Sequence, residues 1–181
     1  STSSLGWPYL SKPAFMIEAT GPRYCSQILI ASRIERLTIS ALRSSGPGGG
    51  PTGLAEFFGD HMVVHGKIWP KENVEPRNYR LRLLNGTDSR FMAIRFRVAA
   101  GPAATDLVGA GAPLTFHVIG SDQGLAPEAI PTEMLVFEPG SRYDIVFDFK
   151  NLQGKRIIME NIGGDEPFGG DIPGPQVFGE T

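Results

Sequence analysis

Apolar and charged residues alternate most clearly from Tyr79 onward. Tyr79, Leu81 and Leu83 alternate with Arg80 and Arg82, the period of two that marks a strand buried on one face. Met92, Ile94, Phe96 and Val98 alternate in the same way with Ala93, Arg95 and Arg97. Residues 116–119 predict a third strand, ended by the stretch Gly120-Ser121-Asp122-Gln123-Gly124. Residues 134–137 predict a fourth, followed by a Pro139-Gly140 turn. Tyr143, Ile145, Phe147 and Phe149 alternate with Asp144, Val146 and Asp148 in a fifth, and residues 156–160 make a sixth.

The pattern is weaker upstream. The run Ile28-Leu29-Ile30 reads as a buried strand, and residues 61–65 as a short strand. Residues 34–42 fit a strand or a short helix equally well. Residues 44–53 hold too many glycines and prolines for a regular element and read as a loop. Residues 1–24 mix Gly, Pro, Ser and aromatics without a period and predict an extended arm. The tail from Ile162 is again rich in Gly and Pro, with a short strand or linker near Gln176-Val177-Phe178. Short strands between Gly/Pro turns, with no clear amphipathic helix and no internal repeat, predict an all-β sandwich.

Composition narrows the function classes. With 23 glycines and 15 prolines in 181 residues, turns are favoured over long helices. A net charge of −2 with both signs interspersed leaves no footprint for nucleic acid. No apolar run approaches the roughly 20 residues that span a bilayer as a helix. The single cysteine, Cys25, rules out a disulfide within the chain. There is no Gly-x-Ser-x-Gly elbow, and residues 46–53 lack the lysine and following helix of a phosphate loop. Asp144 and Asp148 share a strand face and read as solvated rather than as a catalytic pair.

Several motifs in a fixed order carry more information. They are Gly66-Lys67-Ile68-Trp69-Pro70, Val74-Glu75-Pro76-Arg77, and Tyr79-Arg80-Leu81-Arg82-Leu83-Leu84-Asn85 closing on Ser89-Arg90-Phe91. Then come Ile119-Gly120-Ser121-Asp122-Gln123-Gly124-Leu125, Pro139-Gly140-Ser141-Arg142-Tyr143-Asp144 with its Asp148-Phe149 ending, and residues 154–161. Together, over residues 56–161, they resemble the middle cupredoxin (plastocyanin-like) domain of bacterial multicopper oxidases of the laccase, bilirubin oxidase and spore-coat type. His65 stands where that family usually has Asn, Ser141 where it often has Glu, and residues 1–55 match poorly.

The resemblance implies a cupredoxin-like Greek-key β-sandwich with a long irregular N-terminal arm. Residues 1–26 would be an arm or linker from a preceding domain and 27–181 the domain itself. The chain starts at Ser1 without a signal peptide, and a piece of a longer protein is the favoured expectation. Trp69 and Pro70 read as an apolar corner, and Asn85-Gly86 as a tight turn using left-handed backbone. Glu75, Pro76 and Asp148 read as structural parts of the motifs. Arg77, Arg90 and Arg142 are expected to pair with carboxylates such as Asp88, Asp122 or Asp144 in buried forks.

The resemblance also implies copper in the parent enzyme, held by His-x-His pairs and a Cys–His segment. Type 1 copper wants two imidazoles and a thiolate. With three histidines and one cysteine, but no His-x-His and no His beside the Cys, the chain lacks the motifs of either site. His61 and His65, on an extended strand, would lie about 13 Å apart and could not share an ion. Cys25 reads as a spectator thiol. No metal is therefore expected on this segment, whose partners would be flanking copper-binding cupredoxin domains.

Such a parent oxidises phenols, bilins, aromatic amines or metal ions and reduces dioxygen to water. It would be secreted, periplasmic or part of a spore coat. Phe57, Phe58 and Gly59, with Phe168, Gly169 and Gly170, match loops that wall the pocket for a small aromatic donor, although packing phenylalanines would look the same. Two other readings stay open at this level: a copper-free sandwich acting alone as a binding module, and an inert fragment. Residues flanking the chain with His-x-His pairs would favour the oxidase.

Overall fold

The computed structural model describes residues 13–18, 27–33, 61–164, 168–170 and 172, with the first two segments and His61 given by backbone alone. The described elements are all strands. The first five are β1 (Pro13–Glu18), β2 (Gln27–Arg33), β3 (His61–Val64), β4 (Lys67–Ile68) and β5 (Lys71–Asn73). Then follow β6 (Asn78–Asn85), β7 (Met92–Val98), β8 (Phe116–Ser121) and β9 (Gly124–Thr132). The last three are β10 (Leu135–Phe137), β11 (Arg142–Asp148) and β12 (Arg156–Asn161).

They build two sheets, one of five strands in the order β10-β7-β12-β1-β5 and one of seven in the order β4-β3-β2-β6-β11-β8-β9. Most neighbours are antiparallel, but β1 runs parallel to β5 and β2 parallel to β6. The sandwich is cupredoxin-like, as the motifs imply.

The period of two survives in space. Along β6 the apolar residues Tyr79, Leu81 and Leu83 are buried, while Arg80 and Arg82 are exposed. Between the sheets lies an aromatic core. Phe96 of β7 sits 4.8 Å from Phe147 of β11 and edge-on to Phe116 at 5.2 Å. Phe147 in turn meets Phe149 at 4.5 Å, and Phe149 meets Tyr79 edge-on. Such offset and edge contacts add about 0.5–1.5 kcal/mol each to ordinary burial.

Three elements depart from the sequence reading. Residues 13–18 lie within the stretch expected to be an irregular arm, yet they form a strand set between β12 and β5. A strand whose order comes from two neighbours needs no period of its own. Residues 124–132, expected to begin as a turn, make a nine-residue edge strand against β8. Its prolines and glutamates hide the strand signal.

The third departure is at residues 99–115, which form a cover. Ala99 and Leu107 bury Ile158 on the outer face of β12, while Ile157 and Met159 face the core. Arg97 and Arg156 fasten this cover by donating to the carbonyls of Gly111 and Ala104, each at 2.7 Å. Residues 34–42, 44–53 and 176–178 lie outside the described residues.

Candidate functional site

The site grows from the end of β6. Asn85 is wholly buried. Its Nδ2 donates to the carbonyls of Arg90 (2.9 Å) and Phe137 (3.1 Å). Its Oδ1 accepts the Thr87 N–H at 3.1 Å and lies 2.7 Å from the Thr87 hydroxyl. Its main chain adds bonds to Ser141 and Gly140. Neither Asn85 nor Gly86 has a positive φ, so the asparagine serves as an amide staple and not as the left-handed turn residue expected from the sequence. The staple ties the β6–β7 turn to the end of β10.

From that turn two residues reach the segment that leaves β12. Arg90, 3% exposed, donates to the Gly164 carbonyl at 2.9 Å. Phe91 stacks face to face with Phe168, centroids 4.5 Å apart and planes 14° apart. Phe168 is 39% exposed and Gly169 and Gly170 are exposed, so the pair forms a ledge whose outer ring meets solvent.

Gly163 makes the approach close, because a Cβ there would lie 2.6 Å from the Phe91 carbonyl oxygen. Asn161 Oδ1 completes the clasp by accepting from Ala93 N (2.8 Å) and Gly163 N (3.0 Å). Gly163→Ala is expected to force the clasp open and cost about 2 kcal/mol, the scale of overpacking against a fixed backbone. Chemical denaturation of the protein would show it. An unchanged midpoint would mean that the segment yields freely.

The remaining motif residues are structural. The hairpin β3–β4 closes on His65 and Gly66, with φ of 48° and 78°. Both central residues are left-handed, as a two-residue hairpin of this hand needs. His65 therefore stands in a turn, not on the strand predicted over 61–65. Trp69 is also left-handed, at φ 40°, and its N–H donates to Met62 at 2.9 Å. With Pro70 it carries the chain from β4 in one sheet to β5 in the other.

Glu75 and Arg77 pair with each other at 3.0 Å, and the Arg77 guanidinium lies over the Tyr79 ring. Pro76 between them is exposed, and Asp148 Oδ1 accepts the Lys150 N–H in a turn after β11. Arg142 meets Asp122 at 2.5 Å, as expected, but at the surface; Asp144 takes Arg80 and Arg82. Arg90 donates to the carbonyl of Gly164, in the segment that follows β12.

The one deeply buried carboxylate described is Glu160. Arg95, its cross-strand partner, reaches it at 2.5 Å, and Arg97 stands 3.6 Å away. Alternation along the chain puts these three on strands but does not pair them. The signal that could have done so is the charged residue closing an apolar run, Ile157-Ile158-Met159-Glu160, opposite two arginines at strand spacing.

Phe91 closes one of the motifs, yet nothing local in the sequence links it to Phe168. Phe57, Phe58 and Gly59 lie outside the described residues.

Among the described residues the side chains do not make the donor set of a copper centre. His65 in its turn and His117 on β8 are both exposed, and no cluster of three or more His, Cys, Asp or Glu side chains occurs among the described residues. What these residues offer is a rigid clasp presenting a planar apolar surface. Among the described residues no helix is long and apolar enough to cross a membrane.

No protein-family profile matches the chain. It is 40% identical over 111 residues to a bilirubin oxidase of Albifimbria verrucaria, covering 61% of this chain and 18% of that protein. It is 34% identical over 122 residues to a laccase of Bacillus subtilis (strain 168), covering 67% and 20%. In structure it resembles a multi-copper oxidase of Pediococcus acidilactici, with 25% identity and a TM-score of 0.55 over 75% of this chain and 25% of that one. A multicopper oxidase of Aquifex aeolicus shares the fold at 22% identity and a TM-score of 0.51, over 69% and 24%. The chain thus spans about a fifth of the length of the curated relatives it matches.

Proposed function

We propose that this chain, a relative of the multicopper oxidases in sequence and fold, is the copper-free central domain of a laccase-like oxidase. It sets the separation of two copper-bearing cupredoxin domains and lends part of the wall of the donor pocket. The observation that carries the reading is kinship with laccases and a bilirubin oxidase over a stretch that matches only about a fifth of each. The three histidines and lone cysteine of the sequence agree with it, since copper ligands would then come from the neighbours. The parent would oxidise phenols, bilins, aromatic amines or metal ions outside the cytoplasm and reduce dioxygen to water.

The Phe91–Phe168 ledge, with Gly169 and Gly170 beside it, would face the donor, and the sequence motif adds Phe57, Phe58 and Gly59 to the same wall. A planar apolar donor gains contact there without a polar group being stripped of water. In the whole enzyme, Phe168→Ala is expected to raise KM for aromatic donors several-fold while leaving KM for a ferrous donor unchanged. Equal values for wild type and variant with both donors would remove the ledge from the pocket. Absence of copper and of a thiolate-to-copper absorption band from the whole protein would remove the oxidase reading itself.

A further inference from the structure

The edge strand β9 and the residues just after it carry three of the five large apolar side chains that stand exposed among the described residues. They are Leu125 (75%), Ile130 (50%) and Met134 (36%). The strand is exposed along nearly its whole length, unlike the other strands of six or more residues whose burial is described. Its pairing with β8 shifts register between Val118 and Gly120, where residues 126–129 lie between the Leu125 and Ile130 partners as a bulge. Gly120 lets the two strands close tightly beside the bulge, since a Cβ there would meet the Gly124 carbonyl oxygen at 2.9 Å.

Strand addition is a poor use of this edge. Pro127 and Pro131 have no N–H to donate, and Glu128 and Glu133 are exposed beside them, the devices by which edges resist another strand. Exposed Leu and Ile on a guarded edge point instead to side-chain docking against a preformed surface.

We infer that the β9 edge is the face on which a neighbouring domain of the same polypeptide packs, through an apolar patch rimmed by basic residues that answer Glu128 and Glu133. This rests on the reading of the chain as one domain of a larger oxidase. In the Pediococcus acidilactici structure the matched region is 25% of a single chain, so three quarters of that chain lies outside the match. A covalently joined neighbour sits at high effective concentration and can cover a modest patch that a free partner would not hold.

Hydroxyl-radical footprinting of the full-length parent tests the assignment. Leu125 and Ile130 are expected to be modified several-fold more slowly than Val108, although Leu125 is the more exposed here, at 75% against 57%. Rates that follow these local exposures would overturn the proposal. In the parent, the double substitution Leu125→Glu with Ile130→Glu is expected to increase cleavage between domains under limited proteolysis, with Val108→Glu as an indifferent control.

If the double variant does not fold, the footprint of the unsubstituted protein still decides. Protection that appears only as the protein dimerises, followed by sedimentation across concentration, would assign the face to a second copy and sink the proposal. Copper content of the same preparation separates failure of this interface from failure of the oxidase reading.

Discussion

Asn85→Ala is expected to lower stability by about 3 kcal/mol, because it removes a donor from the buried Phe137 carbonyl, one of two donors from the Arg90 carbonyl and the acceptor of the Thr87 N–H, each worth roughly 1 kcal/mol. For a chain of this size that corresponds to a fall in Tm of about 6–12 °C. Calorimetry of the protein measures it. Asn85→Gly discriminates between the two explanations of this residue. A left-handed turn would accept glycine without loss, whereas an amide staple loses as much with Gly as with Ala. Near-wild-type stability of the glycine variant would refute the staple. Because the same network orients the β6–β7 turn, the loss should also loosen the Phe91–Phe168 stack, read as faster hydrogen exchange across 161–164.

Removing Arg95 from the buried ion cluster is the second large effect. Arg95→Ala leaves a fully buried Glu160 carboxylate facing Arg97 at 3.6 Å. Breaking a buried pair from one side costs about 3 kcal/mol, the lower end of the usual range here because Arg97 stays in reach and Arg95 itself is partly exposed. The double variant Arg95→Met with Glu160→Leu is expected to recover most of that loss, since an apolar pair of similar volume avoids desolvating either charge. Denaturant titration of the two variants provides the check. A double variant as damaged as the single one would mean that Glu160 holds more than its arginines.

How much of this is readable from the residues depends on where each signal comes from. Strands β6, β7 and β11 announce themselves because one face is core and the other solvent, so polarity alternates along the chain. Strand β12 is harder. Its four central residues are all buried, since residues 99–115 cover the face that would otherwise meet water, and alternation vanishes when both faces are covered. Strand β1 is ordered by its neighbours, and β9 is an edge built from residues that discourage pairing. Asn85 stands out in the sequence, but for the wrong reason, because an Asn-Gly pair looks like a turn whether its side chain points out or in.

The candidate site divides in the same way. Phe168, Gly169 and Gly170 can be named from motif order, while the stack on Phe91 depends on a glycine 72 residues further along the chain allowing two backbones to touch. That contact is invisible to any local pattern. The ion cluster at Glu160 is of the same kind, a partnership across strands that only register reveals.

The position of β1 has a practical consequence for anyone trimming this protein. Starting a recombinant domain at residue 27, the boundary that motif matching invites, would delete the strand between β12 and β5 and leave a slot with raw hydrogen-bonding rims on both sides. Unpaired rims of that kind are templates for any extended segment, so the trimmed domain is expected to self-associate where the longer one does not.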